Sequence, residues 1–114
     1  MIDKQLYQTH RTPNAVMHTL AAPSTGTAEL SVWTVDMEPG QAGPTHTVDH
    51  EQVWVILTGA LRINGAAHTG TVTIPAGTER RIEAPEAATA LVCSRAGATV
   101  TTPDAHSRPL PWAE

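Results

Sequence analysis

Nine prolines and eight glycines are scattered through 114 residues, and between them no stretch keeps a helical period for long. Proline removes a backbone donor and glycine loosens the element that holds it, so such a chain is left with short extended segments joined by turns. Thr and Val, which suit a pleated and half-buried surface, fill many of the intervals. The expected strands are 15–20, 29–37, 52–58, 60–64, 70–74, 78–84 and 88–95. Turns fall where these must stop, at Glu38-Pro39-Gly40, Thr58-Gly59, Asn64-Gly65 and Pro75-Ala76-Gly77. Asn64-Gly65 suits a two-residue hairpin, whose central positions take positive φ. Many short strands with regular turns predict an all-β sandwich or barrel.

A chain of 114 residues has room for one core of ordinary size. We read 1–114 as a single domain, with a barrel over about 15–102 and a proline-rich tail over 103–114. Pro103, Pro109 and Pro111 argue against any regular strand or helix in that tail, which is expected to wrap the surface with Trp112 as an anchor. The run Val53-Trp54-Val55-Ile56-Leu57 is apolar at every position and so should be covered on both faces, which makes a homodimer the expected assembly. The net charge of −4 disfavours a nucleic-acid partner, and no segment has the length and low polarity of a membrane span. The first residues lack a basic patch and apolar run of the secretory kind, giving an expectation of a cytoplasmic protein. Cys93 has no partner for an intrachain disulfide and sits in Ala90-Leu91-Val92-Cys93, where a small buried hydrophobe is expected rather than a reactive thiol.

The stretch from Pro39-Gly40 through Gln41-Ala42-Gly43-Pro44-Thr45-His46-Thr47-Val48, on to Gln52 and ending at Gly59, resembles the first motif of the cupin superfamily. Its second motif, a Pro-x-Gly turn ahead of a His, is similar to Pro75-Ala76-Gly77 followed by Arg80. The resemblance is to small single-domain monocupins, polyketide-cyclase-like proteins among them. It implies a single jelly-roll β-barrel around a small-molecule pocket. In metal-binding cupins two His and a Glu of the first motif and the His of the second hold one divalent metal. Carried over residue by residue, these positions are His46, Val48, Gln52 and Arg80.

Only His46 is unchanged, and a transition metal normally needs about three protein donors. Val48 donates nothing, Gln52 lacks the carboxylate charge, and Arg80 brings a positive charge of its own. No cofactor is therefore expected. A divalent metal, were one held, would draw on His46, His50 and Gln52, with His50 more naturally a loop residue.

Strand parity sets Glu79, Arg81 and Glu83 on one face of 78–84 and Arg80 with Ile82 on the other, so Arg80 should point inward. It then either pairs with Glu51 or Asp49 or grips an anionic or carbonyl-bearing ligand. Val48, Gln52, Trp54, Ile56 and Ile82 are the expected pocket lining; Trp54 and Trp33 are as readily core. His46 is the candidate for proton chemistry, oriented by Glu51 or Asp49, with Arg80 beside it as the second candidate catalytic group. His10, His18, His68 and His106 are read as surface or turn residues.

The favoured function is a metal-independent cyclase, isomerase or dehydratase acting on a carbonyl- or carboxylate-bearing small molecule. The alternatives are a non-catalytic ligand-binding barrel and a metal-dependent, dioxygenase-like enzyme with a rearranged site.

Overall fold

A computed structural model describes residues 8–104 and 106–114. Residues 1–7, whose composition gave the cytoplasmic expectation, lie outside this range. Twelve strands follow one another: β1 (Gln8–Arg11), β2 (Val16–Ala21), β3 (Leu30–Met37), β4 (Thr47–Val48), β5 (Gln52–Thr58) and β6 (Leu61–Ile63), then β7 (Ala66–His68), β8 (Thr71–Ile74), β9 (Ile82–Glu83), β10 (Ala88–Arg95), β11 (Thr99–Thr101) and β12 (Ser107–Pro109). A six-stranded antiparallel sheet in the order β1-β2-β3-β10-β5-β8 is accompanied by two three-stranded sheets, β12-β11-β4 and β7-β6-β9. Hydrogen bonding does not close these sheets into one barrel, so the expected barrel takes the form of a jelly-roll with separate sheets. Buried residues of all three sheets form a single core cluster.

Burial alternates along much of the large sheet, most regularly on β10, while β3 buries Trp33, Thr34 and Val35 in succession. Along β5, Gln52, Trp54 and Ile56 are buried, while Val53 and Val55 are half-buried and Leu57 is 55% exposed. On β10 the inward residues Ala88, Ala90 and Val92 are small, and Val92 lies between Trp33 of β3 and Trp54 of β5. The widest side chains thus flank the middle of the sheet. The outer face of β5 is only partly covered by the described residues of this one chain, and it is the face on which a second sheet or subunit was expected. Cys93 sits on that same face, half-buried beside Val53 and Val32, and is not the interior residue expected. Among the described residues no helix is long and apolar enough to cross a membrane.

The turns form as their residues dictate. Asn64 (φ 52°) and Gly65 (φ 84°) close the β6–β7 hairpin. The Asn64 amide then ties the hairpin tip to the next segment, accepting from the Arg81 N–H at 2.8 Å and donating to the Glu79 carbonyl at 2.9 Å. Gly59 ends β5 with φ 72°, and a Cβ there would stand 2.1 Å from the Ala87 carbonyl oxygen. No other residue fits that position.

Two expectations fail for physical reasons. The strand expected over 78–84 shrinks to β9, with isolated bridges from Arg80 to His46 and from Glu83 to Ala42. Its partner on that side, 39–46, contains Pro39, Gly40, Gly43 and Pro44, and so cannot present a continuous ladder. The tail, in turn, does contain regular structure. β12 pairs as an edge strand with β11, where a proline needs no ladder donor, and Pro111–Ala113 make one turn of 3-10 helix. That turn is pinned inside: the Thr19 hydroxyl donates to the Trp112 carbonyl (2.7 Å), the Ser31 hydroxyl donates to the Ala113 carbonyl (2.6 Å), and Leu110 and Ala113 are buried.

Candidate functional site

Between the sheets lies a cavity of about 480 Å³ with mostly apolar walls. Met17, Trp33, Val35 and Met37 come from β2 and β3, Gln52 and Trp54 from β5, Val48 from β4 and Ile82 from β9. The exposed lining residues belong to the 11–13 loop, Pro44 and the 108–111 segment, which marks the mouth. Of the residues expected to form the site, His46, Val48, Gln52, Trp54 and Ile82 border this cavity. Ile56 is packed in the core instead, and Arg80 is fully buried outside the lining. His10, read from the sequence as a surface or turn residue, borders the cavity, with its ring edge-on to Trp112 at 6.3 Å.

His46 is set by backbone. Its N–H donates to the Arg80 carbonyl (2.9 Å), the Arg80 N–H returns a bond to the His46 carbonyl (2.8 Å), and the Gly77 N–H ties the second-motif turn to the Val48 carbonyl (2.8 Å). The two motifs are thereby locked side by side. The His46 ring is half-buried, and Nδ1 lies 2.8 Å from the Pro44 carbonyl, which can only accept, so the proton of the neutral ring is on Nδ1. Burial lowers the pKa of His46 below its ordinary value, the Pro44 bond opposes this, and the charges of Arg80 and Arg108 lower it further. His46 is thus a neutral imidazole with an unprotonated Nε2. Neither Asp49 nor Glu51 orients it, contrary to expectation. Asp49 accepts from the Thr99 N–H (2.7 Å), the bond that chiefly lowers its own pKa, and contacts the His50 ring at 2.7 Å; Glu51 is exposed.

Arg80 points inward, as its parity required, but meets no carboxylate among the described residues. Nη1 donates to Gln52 Oε1 (3.1 Å), Nε to the Thr78 carbonyl (3.0 Å) and Nη2 to the Pro75 carbonyl (3.4 Å). The expected pair with Glu51 or Asp49 is replaced by neutral acceptors. Burial lowers the guanidinium pKa, yet that pKa starts so high that the charge is kept. Gln52 Oε1 also accepts from Trp54 Nε1 at 3.1 Å. Both partners only donate, which fixes the amide's orientation and leaves Gln52 Nε2 as the end without a protein partner among the described residues. A buried cation on the carbonyl side polarises the amide and strengthens its N–H groups as donors.

The residues present do not fit the divalent metal of metal-binding cupins. Val48 offers no donor, and His50 is turned onto Asp49 outside the cavity lining. A cation at Gln52 Oε1 would face the Arg80 guanidinium. Among the described residues no three His, Cys, Asp or Glu side chains converge. The tail contributed what the motifs could not announce: Arg108, Leu110 and Trp112 border the cavity with Arg11, and the buried Trp112 Nε1 has no hydrogen-bond partner among the described residues. Trp112 as an anchor was the only sequence signal for this wall.

An all-β chain whose sheets of antiparallel strands surround one cavity is a jelly-roll. Its fold is the cupin fold. The structure resembles the polyketide cyclase RemF from Streptomyces resistomycificus with a TM-score of 0.68 at 15% identity, over 83% of this chain and 78% of that one. An RmlC-like cupin from Shewanella frigidimarina gives a TM-score of 0.66 at 15% identity, over 83% of this chain and 87% of its own. Salicylate 1,2-dioxygenase from Pseudoaminobacter salicylatoxidans gives 0.62 at 17% identity, with 76% of this chain matched to 26% of that enzyme. No family model matches the sequence, and no curated protein matches it.

Proposed function

We propose that this protein is a metal-independent enzyme that moves a proton on a carbonyl-bearing small molecule, in a cyclisation, isomerisation or dehydration. The observation that carries this reading is that one apolar cavity is lined both by a neutral His46 with Nε2 unprotonated and by a Gln52 amide with Nε2 unpartnered among the described residues. In the reaction His46 Nε2 takes a proton from the carbon beside the carbonyl, and the electron pair moves onto the carbonyl oxygen as an enolate. Gln52 N–H groups donate to that oxygen, with the Arg80 charge behind them offsetting the negative charge that develops. Protonated His46 then returns its proton to another carbon in an isomerisation, to the departing hydroxyl in a dehydration, or, in a cyclisation, to the alkoxide formed when the enolate carbon attacks a second carbonyl of the same substrate, and is neutral again. The likeness to a polyketide cyclase fits a substrate of this class. Arg80 acts through Gln52 and is a positioning residue, which moves it from the catalytic role expected of it.

Exchange of α-deuterium from 2-tetralone into water, followed by NMR with EDTA present, tests this. The expected result is exchange above the buffer rate that falls about a hundredfold in His46→Ala, in the range of a lost general base. A wild-type rate equal to buffer, or an unchanged rate in His46→Ala, would overturn the enzyme reading.

One observation favours a second reading. Among the described residues no Asp or Glu borders the cavity, so His46 has no acidic partner for a two-group mechanism. A barrel that only holds its ligand would bind 2-tetralone without exchange.

A further inference from the structure

Arg80 is sealed behind Gln52, yet two other arginines border the cavity. Arg11 ends β1 and Arg108 is the middle residue of β12; both are exposed and lie at the mouth. Neither makes an ion pair among the described residues, where the pairs are His18–Asp36, His50–Asp49 and Arg81–Glu83. Asp104 is close enough for Arg108 to help lower its pKa, but its Oδ1 accepts from the Thr102 hydroxyl and the His106 N–H and forms no ion pair with Arg108. Arg108 is placed by its surroundings. It pairs with Val100 across the β11–β12 ladder, the flanking Pro109 restricts the backbone, and buried Leu110 fixes the strand to the core. Its charge reaches inward far enough to act on His46. The interior thus offers apolar and aromatic walls, while the two arginines of the lining are among its exposed residues.

We propose that Arg108, assisted by Arg11, holds the anionic end of an otherwise apolar, planar carboxylic acid at the mouth, with the ligand body against Trp33 and Trp54 and its reacting carbonyl toward His46 and Gln52. This rests on the cavity being a small-molecule site, as argued above, and adds the ligand's charge, polarity and direction of entry. A guanidinium fork suits a carboxylate, and leaving the charge at the mouth avoids burying it among the apolar walls. Arg108 is in this account a specificity residue supplied by the proline-rich tail.

Titration calorimetry with 2-naphthoate and its neutral isostere 2-naphthamide tests the assignment. At low ionic strength the acid should bind about fivefold more tightly than the amide, as expected for a partly exposed ion pair, and added salt should shrink the ratio. Arg108→Gln should bring the ratio most of the way to one, with Arg11 left as the remaining cation at the mouth. An acid-to-amide ratio in Arg108→Gln equal to that of the wild type would overturn the proposal and leave the cavity reading standing. Failure of both probes to bind the wild type would overturn both.

Discussion

At position 80 the chain holds a full positive charge where a metal-binding cupin holds a ligand, and satisfies it with Gln52 Oε1 and two backbone carbonyls. Its effect falls on neighbours. Gln52 is turned so that its donors are free, and His46 is made harder to protonate. The second effect has a consequence for stability. Because the folded-state pKa of His46 lies below its ordinary value of about 6.5, the unfolded chain takes up a proton at higher pH than the folded one. Stability contributed by neutral His46 is therefore present above about pH 6.5 and lost as pH falls toward the lowered folded value, with no further loss from this group below it. Urea midpoints of wild type and His46→Gln at pH 7.5 and 5 check this: the wild type should lose more stability between the two than the variant does.

Among the elements, glycine turns carry the fold unequally. Gly59 and Gly65 both have positive φ, but a Cβ at Gly59 meets the Ala87 carbonyl at 2.1 Å, whereas one at Gly65 meets nothing within 4 Å. Gly59→Ala should therefore destabilise by more than about 2 kcal/mol, through clash as well as backbone strain, and Gly65→Ala by about 1 kcal/mol through strain alone. Chemical denaturation of the two variants measures both, and equal losses would contradict the close approach at Gly59. β5 and β10 were legible as runs of seven or eight mostly apolar or β-favouring residues between turn signals, and the β6–β7 hairpin because Asn64-Gly65 admits few other turns. β1, β4, β11 and β12 were not, being only two to four residues long, and β4 is in addition held by β11 far along the chain. Parity correctly sent Arg80 inward, but period-2 reasoning gives a direction and no depth. It could not tell a guanidinium in the cavity from one behind its wall.

For the whole molecule, the site is completed by two segments far apart in sequence. The 11–13 loop and the 108–112 segment complete a cavity whose floor comes in part from the motif strands, and neither segment carries a motif that would announce this. The sequence therefore disclosed the floor, through His46, Val48, Gln52, Trp54 and Ile82, and concealed the mouth, where Arg11 and Arg108 stand. The account as a whole depends on one protonation state, because a charged His46, or one with its proton on Nε2, has no lone pair to offer the cavity. Long-range proton–nitrogen NMR spectra of protein labelled with ¹⁵N-histidine read that state directly. At pH 7 they should show His46 neutral, with the proton on Nδ1 and Nε2 bare; an imidazolium, or a neutral ring protonated at Nε2, would contradict the account.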